Sequence, residues 1–212
     1  MRIIIAIIAI LLPATAAMAD IPLPDQDLST ATIAAPSPGP FVLLVRPDGQ
    51  GPGFDGARDI SGNTIDATIE IVLLWLEGAP VVGYPWQDLW LAPIGAPCIN
   101  CASASLFYGF AVDHDTDSNG ATSLSSPPRG GGYNQLDCTI YISSNPLNGP
   151  PLAIHWNSPD INGDLAVDLA DAGFFAVDLF GAYHFRSDLV YDGVINLSDA
   201  GEMVSALGVR CP

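Results

Sequence analysis

The sequence predicts a mainly β protein, an antiparallel sandwich followed by a small all-α module, and three observations carry that expectation. From residue 41 to 157, short β-branched and aromatic runs alternate with Gly, Pro and Asp turns, with no helical period between them. Two later stretches have apolar residues at helical spacing, each ending in Gly. A twelve-residue unit, Asp160 to Asp171 (DINGDLAVDLAD), recurs as Asp188 to Asp199 (DLVYDGVINLSD).

Taken in order, residues 1–19 combine Arg2, an apolar run from Ile3 to Leu12 and the small-residue site Ala17, Met18, Ala19. That is the pattern of a secretory signal peptide, too short for a membrane span. A secreted, extracellular or cell-surface location is expected, with no later run of membrane length. Residues 20–40 hold five prolines, which block helix and any central strand, so an extended arm is expected there.

The apolar run Phe41 to Val45 reads as a buried strand. Thr64 to Trp75 reads as the longest strand, with Ile65, Ala67, Ile69, Ile71 and Leu73 on one face and Asp66, Thr68 and Glu70 on the other. Further strands are expected at Val81 to Tyr84, Asp88 to Leu91, Leu106 to Val112, Ala121 to Leu124, Cys138 to Ile142 and Leu152 to Trp156. The tail, residues 158–212, supplies the helices: Leu169, Ala172, Phe175, Ala176 and Leu179, then Leu197, Ala200, Met203, Val204 and Leu207. Asp168 and Asn196 fall at the N-caps, with Asp171 and Asp199 in the positive first turns.

The spacing inside the repeated unit is that of a calcium loop, in which positions 1, 3, 5, 9 and 12 offer side-chain oxygens and position 7 a backbone carbonyl. The first loop offers Asp160, Asn162, Asp164, Ala166 through its carbonyl, Asp168 and Asp171. The second offers Asp188, Asp192, Val194 through its carbonyl, Asn196 and Asp199. Each departs from the ideal once. Leu165 stands at position 6, where Gly normally makes the turn, and Val190 stands at position 3, where an oxygen is needed. A left-handed Leu costs about 1–2 kcal/mol, whereas Val190 removes a ligand outright. Loop one, with four carboxylates against three, is therefore expected to be the tighter of two calcium sites.

A duplicated loop and helix without a leading helix resembles a dockerin module over about residues 158–212. The resemblance implies two bound calcium ions and a cohesin-like protein partner. Loop positions 10 and 11, which carry a Ser-Thr pair in many cellulosomal dockerins, here hold Leu169 and Ala170, then Leu197 and Ser198, so the cohesin partner is the weaker inference. Upstream, Gly78 to Gly83 (GAPVVG) followed by Thr116 to Thr122 (TDSNGAT) is similar to the G-x-P-V-x-G … T-D-x-x-G-x-T pattern of bacterial immunoglobulin-like domains. That resemblance covers roughly residues 64–125 and implies an immunoglobulin-like sandwich of the spacer or adhesive kind, expected to occupy residues 41–157.

Other clusters have plainer readings. Asp115, Asp117 and Asn119 begin like a calcium loop, but its twelfth position is Ser126, and Asn119-Gly120 favours a hairpin turn. Cys98 and Cys101, with Cys138 and Cys211, read as structural disulfides in an exported chain, one of the early pair to Cys138 and the other to Cys211 among three possible connectivities. Tyr84, Trp86 and Trp90 could stack on sugar, though Trp in a sandwich is more often core. His114, His155 and His184 lie apart from any nucleophile or zinc-like pair.

With 23 acids against six basic residues, all Arg, and a formal charge of −17, nucleic acid is excluded as a partner. Absence of Lys excludes Schiff-base chemistry, and an enzyme is not expected. The leading expectation is a secreted, non-enzymatic structural or assembly protein, stabilised by calcium, that associates through its tail and by addition of the arm strand to a neighbour, forming a filament. The alternative is a dockerin-tagged accessory module that binds polysaccharide.

Overall fold

The computed structural model describes residues 23–35, 39–95 and 110–212. The expected signal segment and the Cys98, Cys101 pair lie outside them, as does most of the strand expected at 106–112. Cys211 is disulfide-bonded.

Among the described residues, ten short strands, two α-helices and three single 3-10 turns make up the regular structure. One sheet joins β1 (Thr30–Ile33), β5 (Ile69–Val72) and β7 (Ala121–Leu124), antiparallel throughout, with β5 central. Its alternation is the cause: Ile69 and Ile71 are fully buried while Glu70 between them is exposed. A second sheet runs β10 (Ile154–Asn157), β2 (Phe41–Leu44), β3 (Ala57–Arg58) and β4 (Thr64–Ile65). β2 is apolar at all four positions and buried at three, as a strand covered on both faces must be. A third sheet places β8 (Cys138–Ile142) between β6 (Leu89–Pro93) and β9 (Asn145–Pro146). Side chains from all three sheets, among them Phe41, Ile71, Leu89, Ile140 and Trp156, meet in one core.

Several expectations need correction. The β region is not an antiparallel immunoglobulin-like sandwich, because it divides into three small sheets and β10 pairs with β2 in parallel, Ile154 opposite Phe41 through Asn157 opposite Leu44. Period-two patterning places side chains on faces but says nothing about which strand is the neighbour, so the parallel pair was not legible. The long strand 64–75 breaks into β4 and β5, since the Asp66 carboxylate accepts the Thr68 N–H at 2.9 Å and turns the chain. Val81 to Tyr84 forms no strand. Part of the arm is not free: β1 pairs along its whole length with β5 of its own chain.

The tail is likewise not an all-α dockerin-like module with two calcium loops standing apart. Its helices are short, α1 (Leu169–Leu179) and α2 (Leu197–Ala206). Its ends are clasped by β-type contacts, Val167 N–H to Val209 O at 2.8 Å and Cys211 N–H to Leu165 O at 3.0 Å. Its small core of Ile161, Val167, Phe175, Leu189, Met203 and Ala206 packs against Leu44 of β2. The expected apolar helix face is also half wrong, because Leu169 and Leu197 are each 83% exposed. They sit at the first helical position, before the turn that faces the core.

Candidate metal centres

The two repeated loops fold alike down to individual hydrogen bonds. In loop one, Asp160 accepts from the N–H groups of Asp164 and Leu165 (3.1 and 2.8 Å), and Asp171 from those of Asn162 and Asp168 (3.1 and 2.9 Å). In loop two, Asp188 accepts from Asp192 and Gly193 (3.1 and 2.9 Å), and Asp199 from Val190 and Asn196 (both 2.9 Å). Asp164 and Asp192 each accept from the residue two further on, Ala166 and Val194. Asp168 and Asn196 are the N-caps of α1 and α2, taking Ala170 N–H and Ser198 N–H at 2.7 Å, and Asp171 and Asp199 close the capping boxes.

This pattern explains the turns. Leu165 adopts φ +68 and Gly193 φ +83 at position 6, and Gly163 φ +75 and Tyr191 φ +57 at position 4, so both positions are left-handed in both loops and each loop carries one strained non-glycine residue, Leu165 in the first and Tyr191 in the second. Asp160, Asp171, Asp188 and Asp199 are buried, whereas Asp164, Asp168 and Asp192 are exposed and Asn162 with them. Asn162 Nδ2 donates to Asp164 at 3.0 Å, which draws positions 3 and 5 together. Val190 contributes its N–H but no side-chain oxygen. Val194 O accepts weakly from Asn196 Nδ2 at 3.3 Å, while Ala166 stands opposite Arg210 in an antiparallel bridge whose hydrogen bonds come from its neighbours, Leu165 O and Val167 N–H.

Burial pushes the Asp160 carboxyl up to about 6, and the nearby Asp171 and Asp164 carboxylates add to the shift. Asp199 is raised for the same reasons, burial first, then Asp188 and Asp192. Buried carboxylates that repel one another are the arrangement a hard cation relieves. Each is turned onto backbone N–H groups: Asp160 Oδ1 takes two and Oδ2 one, and Asp199 takes one on each oxygen, so three of these four oxygens keep a further lone pair. Among the described residues, no three His, Cys, Asp or Glu side chains converge as a ready-made metal cluster.

The surroundings that hold these loops come from segments distant in sequence. Asn157 of β10 donates Nδ2 to the carbonyls of Phe185 and Asp188, anchoring the start of loop two to the sheet. Tyr183 O–H donates to Asp188 at 2.9 Å. Gly132 N–H bonds Asp160 O at 2.7 Å, and a Cβ at Gly131 would lie 2.7 Å from Asp160 Cγ and closer still to its oxygen. Asp160 is buried and held by three N–H groups, so it cannot swing away. Gly131→Ala is expected to cost about 1–3 kcal/mol, read as a lower urea midpoint with unchanged slope. A wild-type midpoint would show that the loop yields freely.

Behind α1, Asp178 is buried and takes Arg186 in a two-bond fork (2.8 and 3.0 Å) together with Ser187 Oγ at 2.6 Å. The Arg186 hydrogen bond, against the opposing effect of burial, holds the Asp178 carboxyl below its ordinary value. A signal for it existed, since Asp171, Phe175 and Asp178 stand at i, i+4 and i+7 on one helix face.

The remaining candidates separate. Asp117 accepts Asn119 N–H and Ala121 N–H (2.7 and 2.9 Å), Asp115 accepts Trp86 N–H, and Asp113 serves Ser125 and Ser126, so these carboxylates shape a turn. Of the three aromatic residues, Tyr84 and Trp90 are buried, Trp90 stacking on Tyr141 at 5.9 Å, and only Trp86 is exposed. Cys138 is buried with Sγ 3.1 Å from Ile154 O. His114 contacts Asp115 O, His155 faces Asp137 at 3.6 Å, and His184 stands 3.9 Å from Asp178. Among the described residues no helix is long and apolar enough to cross a membrane.

Comparison of the chain with protein-family models, curated proteins and solved structures gives no match.

Proposed function

We propose that this chain is a secreted, non-enzymatic structural or assembly protein whose C-terminal region is ordered by two calcium ions. The observation that carries the reading is the twofold repetition of one oxygen-rich loop, in which the carboxylates at positions 1 and 12 are buried and share backbone donors at positions 5 and 6 and at positions 3 and 9 in both copies. A helix cap alone would need the ninth and twelfth positions, not a buried Asp at the first. Extracellular calcium would neutralise the buried charge and lock the loops onto the sheet through Asn157 and Gly132.

Assembly in this reading uses the outer side of the tail, where Leu169, Val177, Phe180, Leu197 and Val204 are exposed. The N-terminal strand is already engaged by β5 of its own chain, so joining a neighbour through it requires exchange of that strand between copies. Polysaccharide binding through the aromatic residues has less support, since Tyr84 and Trp90 are buried.

Calcium titration by calorimetry tests the reading. Two sites are expected, with Asp160→Ala or Asp171→Ala weakening total binding more than Asp188→Ala or Asp199→Ala, by more than about tenfold at the affected site. The opposite order would mean that the ligand lost at Val190 does not decide which site is tighter. No calcium uptake by the mature protein would end the proposal.

A further inference from the structure

A cleft of about 300 Å³ opens where the tail meets the second sheet, with Arg46, Arg58, Leu44, Leu189, Tyr191 and Glu202 among its walls. Its volume falls at the lower end of the range of small-molecule sites. Two of the six arginines of a chain of formal charge −17 stand here.

Their bonding leaves capacity unused. Arg46 Nη2 donates to Glu202 Oε2 at 3.0 Å and to Ser205 Oγ at 2.9 Å, which ties α2 to the end of β2. Arg46 Nε, however, is buried without any acceptor. Arg58 gives one bond, Nη1 to Gly62 O at 2.8 Å, and no other acceptor of its guanidinium is found among the described residues. A buried N–H without a partner costs about 1–3 kcal/mol, so a clamp between α2 and the sheet accounts for Nη2 but not for the rest. Two guanidinium groups and one carboxylate leave the cleft with a net single positive charge. The lining also includes the buried Leu189 and the half-buried Leu44.

We propose that this cleft binds a small organic monocarboxylate, its carboxylate held by Arg58 and the neighbouring Arg46 charge and its apolar body against Leu44 and Tyr191. A planar carboxylate matches the guanidinium fork. A dianion such as sulfate would meet Glu202 with charge to spare, so a monoanion is preferred. The inference goes beyond the calcium reading, since none of these side chains belongs to the candidate ion ligands.

Two-dimensional NMR of the full chain with calcium present, titrated with formate, acetate and benzoate, tests it, with benzamide as the neutral counterpart of benzoate and sulfate as the dianion. Saturable shifts centred on Leu44, Leu189 and Tyr191 are expected, strongest for benzoate and absent for benzamide. Arg58→Gln should weaken benzoate by about ten- to a hundredfold, whereas Glu202→Gln, which keeps an acceptor for Arg46, should tighten it. Folding of both variants is read from the same spectra. The proposal is overturned if no carboxylate gives saturable shifts at the cleft, if benzamide binds as well as benzoate, or if both variants bind like the parent.

Discussion

Chelation of calcium is expected to lower the melting temperature of the mature protein by roughly 10–20 °C, as a shift of one transition and not as loss of a separate early one. If each loop binds with a dissociation constant a hundredfold below the free calcium concentration, the ion adds about 2.7 kcal/mol per site. At about 2–4 °C per kcal/mol for a chain of this size, two sites reach that range. The single transition follows from the contacts across the junction. Leu44 of β2 belongs to the tail's core, Asn157 of β10 holds the Phe185 and Asp188 carbonyls, and Arg46 pairs with Glu202 at 3.0 Å. Differential scanning calorimetry with and without chelator decides the matter. An unchanged midpoint would remove calcium from the account, and a split transition would show that the tail unfolds independently of the sheets.

Asp178→Ala is expected to destabilise the protein by about 3–5 kcal/mol. Its carboxylate is fully buried and is the common acceptor for Arg186 and Ser187. Removing it strands a guanidinium whose remaining contact is the Phe174 ring, 5.2 Å away, together with a buried hydroxyl. Because Arg186 and Ser187 lie between α1 and loop two, the cost falls on the link between the repeats. The Asp178 carboxyl is held below its ordinary value, so its contribution is fully present above the unfolded carboxylate pKa of about 3.9 and disappears as pH falls through the lower folded value. Urea unfolding should therefore show a wild-type advantage over Asp178→Asn at neutral pH that shrinks in strong acid. An advantage that stays constant with pH would assign the effect to packing instead of charge.

Much of the tail was legible because its determinants are local. The repeat of Asp at loop positions 1, 5 and 12, the caps Asp168 and Asn196, and the special turn at Leu165 and Gly193 all depend on residues within one loop of one another. Strand positions such as Phe41 to Leu44 and Cys138 to Ile142 were legible for the same reason, since alternation or continuous apolarity reports which faces are buried. The contacts that join the β region to the tail were not legible, because Leu44, Asn157 and Gly132 each read as an ordinary strand or loop residue until its distant partner is known.

By itself, then, the sequence determined the two loops, their caps and the apolar faces of the strands, because short-range backbone geometry and side-chain period follow from neighbouring residues. Only the tertiary structure decided that β10 runs parallel to β2, that Thr30–Ile33 completes its own sheet, and that Gly131 presses on Asp160. It also decided that Arg46 and Arg58, twelve positions apart in sequence, would face a cleft closed by Leu189 and Glu202. These depend on which donors and surfaces remain unsatisfied once the local elements have formed, and burial of those groups is set by contacts across the whole chain.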